Sequence, residues 1–190
     1  MARIGGLGEI LSGAPEAAAP LLLGAHLVSR VEGSEVRIRI NEVEAYKGED
    51  DPASHAYRGE TSRNASMFRK PGTLYVYRSY GIHHCANTSA GPEGVGWGIL
   101  IRGGEVIDGL RVAARRRGRG TDLANGPGKL CQALGITLGL NGTDLLDPSS
   151  VVHLDEGGLE EMVVMATPRI GISKARNLPW RFVAATQLSP

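Results

Sequence analysis

At 190 residues with 42% hydrophobic and 22% charged side chains, the chain is long enough for one packed core and short for two. A net charge of +1 excludes the globally basic signature of many nucleic-acid binders, so any such contact has to come from local clusters. No apolar run approaches the roughly 18 residues of a membrane span, the Ala/Leu-rich stretch 17–23 lacks the basic leader of a signal peptide, and the two cysteines, Cys85 and Cys131, have neither metal-ligand spacing nor the density of a disulfide scaffold. These features predict one domain over residues 1–190, cytoplasmic, with reduced thiols in or near its core.

In chain order, residues 17–27 read as a short leucine-rich helix, with Pro20 acceptable only in its first turn. After Gly33 the sequence alternates as a strand does. Val36, Ile38, Ile40, Glu42, Glu44 and Tyr46 are therefore expected on one face, so that an apolar surface runs directly into two acids and a tyrosine. A buried unpaired carboxylate is costly or shifts its pKa, which marks this stretch as the floor of an active site. A polar loop follows over 47–52, and 54–67 has no clear period.

Pro71-Gly72 is a turn signal, and Thr73 to Tyr77 reads as strand from its β-branched and aromatic content. His83 to Thr88 returns as the second strand of a hairpin with Tyr80-Gly81 near the tip. That places Tyr80 in water, either as a contact residue or as a cap on a neighbouring loop. Residues 91–96 form a flexible loop, and Trp97 to Arg102 is a buried strand ending on an arginine. The run Arg111, Arg115, Arg116, Arg117 and Arg119 is either a solvated helix face or a set of phosphate contacts, as are Arg58, Arg63, Arg69, Lys70 and Arg78 within the aromatic segment. Gly126-Pro127-Gly128 precedes a short helix from Lys129 to Leu134, whose N-terminus with Lys129 suits an anion. Pro168 to Ile172 reads as a late strand.

Tyr46, His55 and Tyr77 lie near a carboxylate in sequence and have flat faces suited to a planar ligand such as a nucleobase. No cluster of His, Cys, Asp or Glu has metal-ligand spacing, and neither a metal nor another cofactor is expected. A small-molecule hydrolase using Glu42 and Glu44 as an acid/base pair fits the same strand, but it leaves Tyr80 and the arginines without a task.

The stretches Asn41-Glu42-Val43-Glu44-Ala45-Tyr46, Asp51-Pro52-Ala53-Ser54-His55-Ala56-Tyr57-Arg58-Gly59, Arg63-Asn64, Met67-Phe68, Pro71 to Tyr77, Tyr80-Gly81, Cys85-Ala86-Asn87, Gly126 to Leu134 and Pro168-Arg169-Ile170-Gly171 occur in one order and spacing. Together they resemble the mammalian-type alkyladenine (3-methyladenine) DNA glycosylases, from about Leu21 to Phe182, and the loop at 91–96 is similar to the bacterial branch.

The resemblance implies an α+β fold: a curved, mostly antiparallel sheet surrounded by helices, with a protruding hairpin that enters DNA. It implies Glu44 as general base for water and Arg102 as the group that positions that water. Tyr46, His55 and Tyr77 become the walls of a base pocket, Asn87 the group against the purine's C2 edge, and Tyr80 the wedge in the minor groove. The implied partner is double-stranded DNA carrying a damaged purine, met by a monomer in the nucleoid-containing cytoplasm, with Arg63 and Lys129 on the DNA backbone. Hydrolysis without a lysine nucleophile leaves an abasic site and no strand cut. A protein that keeps the DNA surface and has lost the chemistry is the alternative. Ser62, Ile82-His83-His84 and Pro20 depart from the family's usual pattern, and without a long basic arm at either end, non-specific DNA affinity is expected to fall steeply with salt.

Overall fold

The computed structural model describes residues 5–157 and 163–185. Helix α1 (Leu7–Leu11) and α2 (Pro15–Ala18) lead through a 3-10 turn (Ala19–Leu22) into β1 (His26–Ser29) and the long β2 (Val36–Lys47). Then come β3 (Leu74–Ser79), β4 (His83–Ala90), β5 (Trp97–Asp108), α3 (Leu110–Arg117), α4 (Pro127–Leu134), β6 (Val152–Asp155), β7 (Val163–Thr167) and β8 (Arg181–Ala185). The eight described strands form one antiparallel sheet in the order β3-β4-β5-β2-β1-β6, and β8 pairs with the second half of β2 and carries β7 outside it. The fold is thus α+β, with the hairpin β3–β4 at one end of the sheet.

Pro20 does not open a helix running to Leu27. It lacks an N–H to continue the α2 ladder, so α2 stops at Ala18, the 3-10 turn takes Pro20 in its first positions, and Leu27 lies in β1. The strand expected at Trp97 to Arg102 continues to Asp108. Pro168 to Ile172 is not a strand but irregular chain between β7 and β8. Lys129 to Leu134 is helical as expected, starting with Pro127, whose missing N–H is harmless in a first turn.

The alternation in β2 holds only up to Ile40. Register shifts between Ile40 and Glu42 and between Glu42 and Val43 place one extra residue on β2, Asn41, and then one on β5, Arg102. The paired irregularities switch the strand's faces. Val36, Ile38, Ile40, Val43 and Ala45 all join the hydrophobic core with Leu11, Leu22, Ile99, Ile101, Leu130 and Leu134, while Glu42, Glu44 and Tyr46 turn to the opposite face. The two acids and the tyrosine share a face as expected, but not with Ile40. Close approach makes this possible: a Cβ on Gly104 would lie 2.2 Å from Ile38 Cγ2 and 2.6 Å from the Arg39 carbonyl oxygen.

Candidate active site

The face turned away from the core carries one continuous row. Tyr75 on β3 opposes Asn87 on β4, Asn87 opposes Leu100 on β5, Leu100 opposes Glu44 on β2, and Glu44 opposes Arg181 on β8. Directly opposed residues in antiparallel strands point to the same side. Tyr77 and Tyr46, each two positions along its own strand, extend the same surface. A cavity of about 500 Å³ opens there, lined by Tyr46, His55, Tyr75, Tyr77, Asn87, Leu100, Arg102, Pro127 and residues 170–174.

The cavity's rings fall into two groups. His55 meets Tyr77 edge to face at 4.5 Å between centroids, Tyr75 stacks on Tyr77 at 5.7 Å, and the Tyr75 hydroxyl lies 3.0 Å from His55 Nδ1. Burial, aided by the nearby charge of Arg63, holds His55 below its ordinary pKa, so the imidazole is neutral at pH 7. Burial pushes the phenol of Tyr75 up to about 12. Tyr46 stands apart from this cluster, its ring against the Arg169 guanidinium at 4.7 Å. Its phenol is driven well above the usual range, first by burial and then by the adjacent Glu44 charge, so it stays a hydrogen-bond donor.

Glu44 is 0% exposed and does not line the cavity. One carboxylate oxygen, Oε2, accepts from the Tyr46 hydroxyl at 2.8 Å and, at the long limit of 3.5 Å, from Arg102 Nη1. The other accepts from the Ile170 backbone N–H at 2.8 Å. Arg102 therefore stands between the carboxylate and the cavity, its side chain 12% exposed, with Nε on Glu42 Oε1 at 2.8 Å. Arg181 Nε reaches the same oxygen of Glu42 at 2.6 Å. Burial opposes ionisation of Glu42, yet Arg181 and Arg102 outweigh it and hold its carboxyl below the usual range. Tied to two cations, Glu42 is no free acid/base partner for Glu44.

Asn87 is buried, gives its amide N–H to the Tyr75 carbonyl at 3.1 Å, and lines the cavity. Tyr80 is at the hairpin tip as expected. It is 90% exposed with φ of 50°, followed by Gly81 at 72°, and Ile82 N–H closes the turn on the Ser79 carbonyl. Two successive positive φ values are what a type I′ turn requires, and a bulky aromatic in the first of them is strained. Arg63 is exposed beside His55. Lys129 projects from the first turn of α4 but already pairs with Asp122 at 2.6 Å. Four of the five arginines lie on helix α3, in which Arg116 caps Val31 and Ala133 carbonyls and Arg117 binds Gln132, while Arg111, Arg115 and, beyond the Gly118 C-cap, Arg119 stay exposed. Among the described residues no group of three or more His, Cys, Asp or Glu is placed to hold a metal, and no helix is long and apolar enough to cross a membrane.

The sequence reading missed Tyr75, Arg169 and the Ile170 N–H. Tyr75 was within reach, since it lies two residues from Tyr77 on a strand and must share its face. Arg169 was not: its partner Asp51 is 118 residues away.

The cavity is lined by aromatic rings, with a carboxylate one layer behind it and an exposed aromatic on the adjoining hairpin. The chain belongs to the methylpurine-DNA glycosylase family, whose profile matches residues 9–188. It is 49% identical over 176 residues to a protein of Rhodococcus jostii (strain RHA1), covering 88% of this chain and 76% of that one. It is 47% identical over 175 residues to one of Mycobacterium tuberculosis (strain ATCC 25618 / H37Rv), covering 88% and 83%, and 46% identical over 177 residues to one of Nocardia farcinica (strain IFM 10152), covering 88% and 82%. All three carry the name "Putative 3-methyladenine DNA glycosylase".

Proposed function

We propose that this protein is a monofunctional DNA glycosylase of base excision repair that removes alkylated or deaminated purines, among them 3-methyladenine, 7-methylguanine, hypoxanthine and 1,N6-ethenoadenine. Tyr80 enters the minor groove and takes the space of the extruded nucleotide. The purine stacks between Tyr46 on one side and the His55–Tyr77 pair on the other, and Asn87 meets its C2 edge and disfavours the 2-amino group of guanine. Water between Arg102 and Glu44 attacks C1′ of the sugar, Glu44 takes its proton, and the bonding electrons of the glycosidic C–N bond leave with the base. For a cationic purine that bond is already weak; a neutral purine has to gain a proton as it departs.

The observation that carries this reading is the row from Tyr75 to Glu44, which joins the ring-lined cavity to a carboxylate through the same hairpin that exposes Tyr80. One observation favours the competing reading of a damage-binding protein without chemistry: the Glu44 carboxylate presents no surface to the cavity. The 3.5 Å contact from Arg102 is the weakest of the three that hold Glu44 and is the one a water can replace with least loss.

Labelled duplexes carrying one hypoxanthine, ethenoadenine or 7-methylguanine test the proposal. Strand breaks are expected only after alkali. Breaks without alkali would contradict the monofunctional mechanism, and binding without any product on all three would favour the damage-binding protein.

A further inference from the structure

We infer that Arg169, clamped by Asp51, is a positioning residue that sets Glu44 and Tyr46 without touching the base. The inference rests on the reading of Glu44 as the catalytic base. Both side chains are 0% exposed. The Arg169 fork grips both Asp51 oxygens, Nη2 on Oδ1 at 2.9 Å and Nη1 on Oδ2, while Nη1 also donates to the Ala45 carbonyl at 2.8 Å. Ala45 is the residue between Glu44 and Tyr46. The guanidinium carbon lies over the Tyr46 ring at 4.7 Å and over the Trp180 ring at 5.3 Å from the centroids. The next residue, Ile170, supplies the N–H that holds Glu44 Oε1.

Asp51 is itself fixed to the turn after β2, because its oxygens accept from the Lys47 and Ala53 backbone N–H groups. The segment from Pro168 to Trp180 has no regular structure, yet residues 170–174 line the cavity. Both its ends meet on one residue: Arg169 bonds the Ala45 carbonyl, and the Trp180 carbonyl accepts from the Ala45 N–H at 2.8 Å. A buried ion pair is a weak device for stability, since apolar residues of similar volume serve as well. What they cannot supply is a planar fork that fixes direction at several acceptors at once. The pair is therefore assigned to geometry: it fixes the peptide that holds one oxygen of Glu44 and backs the ring that holds the other.

The test uses the full chain, with Arg169→Lys and the apolar pair Asp51→Leu/Arg169→Met, which leaves no uncompensated buried charge. On a 7-methylguanine duplex at saturating enzyme, the single-turnover rate constant is expected to fall by about tenfold or more. Product amplitude and lesion-duplex affinity should stay within about threefold. In a Glu44→Gln background Arg169→Lys should change the residual rate by less than about twofold, because residues acting through one group are not additive. Hydrogen exchange of the Ile170 amide should quicken by about tenfold in Arg169→Lys, a readout independent of activity. Equal factors in both backgrounds, loss of amplitude alone, a parental rate in the apolar pair, or unchanged Ile170 exchange would each overturn the inference. A parent that excises nothing would instead overturn the glycosylase reading, and Ile170 exchange would still decide whether Arg169 holds that amide on Glu44.

Discussion

Tyr80 should be a residue the fold would be better without. A non-glycine residue in the left-handed region costs about 1–2 kcal/mol, and asparagine tolerates that region better than other side chains. At 90% exposure, Tyr80 loses almost no packing when replaced. Tyr80→Asn is therefore expected to stabilise the protein by about 0.5–1 kcal/mol, raising Tm by about 1–4 °C for a chain of this size. The same change removes the ring that we propose stacks in the duplex. Aromatic stacking on a base is worth about 1–3 kcal/mol, or about 5- to 150-fold in affinity for a lesion duplex. Thermal melts and urea titrations measure the first effect, and titration of an ethenoadenine duplex the second. The opposite signs are the test: a variant that loses stability, or one that binds and excises as the parent does, would refute the assignment of Tyr80 as a strained wedge.

Glu42→Gln keeps the shape of the Arg102–Glu42–Arg181 bridge and removes its charge. It should destabilise by about 1.5–3 kcal/mol at pH 7, the range for hydrogen bonds to a charged group. The folded pKa of Glu42 lies below its ordinary value of 4.5, so its contribution is fully present above that value and is lost as pH falls through the folded one. The gap between parent and variant in urea midpoints should accordingly close on acidification; a gap equal at pH 7 and pH 3 would contradict the charge account. Gly104→Ala drives a Cβ into Ile38 and the Arg39 carbonyl, and is expected to cost about 1–3 kcal/mol and to lower excision by disturbing the register beside Arg102. Gly120→Ala, which meets nothing within 4 Å, should be close to neutral in the same denaturation assay.

How much of this was legible before folding depended on the range of the interaction. The hairpin could be read from Tyr80-Gly81 between two β-rich runs, because turn chemistry is local. Tyr46, His55 and Tyr77 were named from ring content; the strand neighbours β3, β4, β5 and β2 put Tyr46 and Tyr77 on one face of the sheet, and His55 reaches the same cavity from the segment between β2 and β3. The face switch in β2 was hidden, since its cause is the doublet Gly103-Gly104 on another strand, which admits the close approach of Ile38 and Arg39. For the same reason the basic run did not resolve itself: Arg116 and Arg117 are spent on α4 and the turn at Val31, which only the packing of α3 on α4 reveals. The clamp of Asp51 on Arg169 joins two stretches of the family pattern, 118 residues apart, that no local period brings together.

The central claim is that Glu44, buried behind Arg102 and Tyr46, is the base that activates water. Single-turnover excision from a hypoxanthine duplex by Glu44→Gln, beside the parent and with lesion-duplex affinity measured on the same preparations, tests it most directly. The account predicts excision lower by about 10²- to 10⁴-fold, the range for loss of a general base, with affinity within a few-fold of the parent. Excision by Glu44→Gln at the parental rate would contradict it.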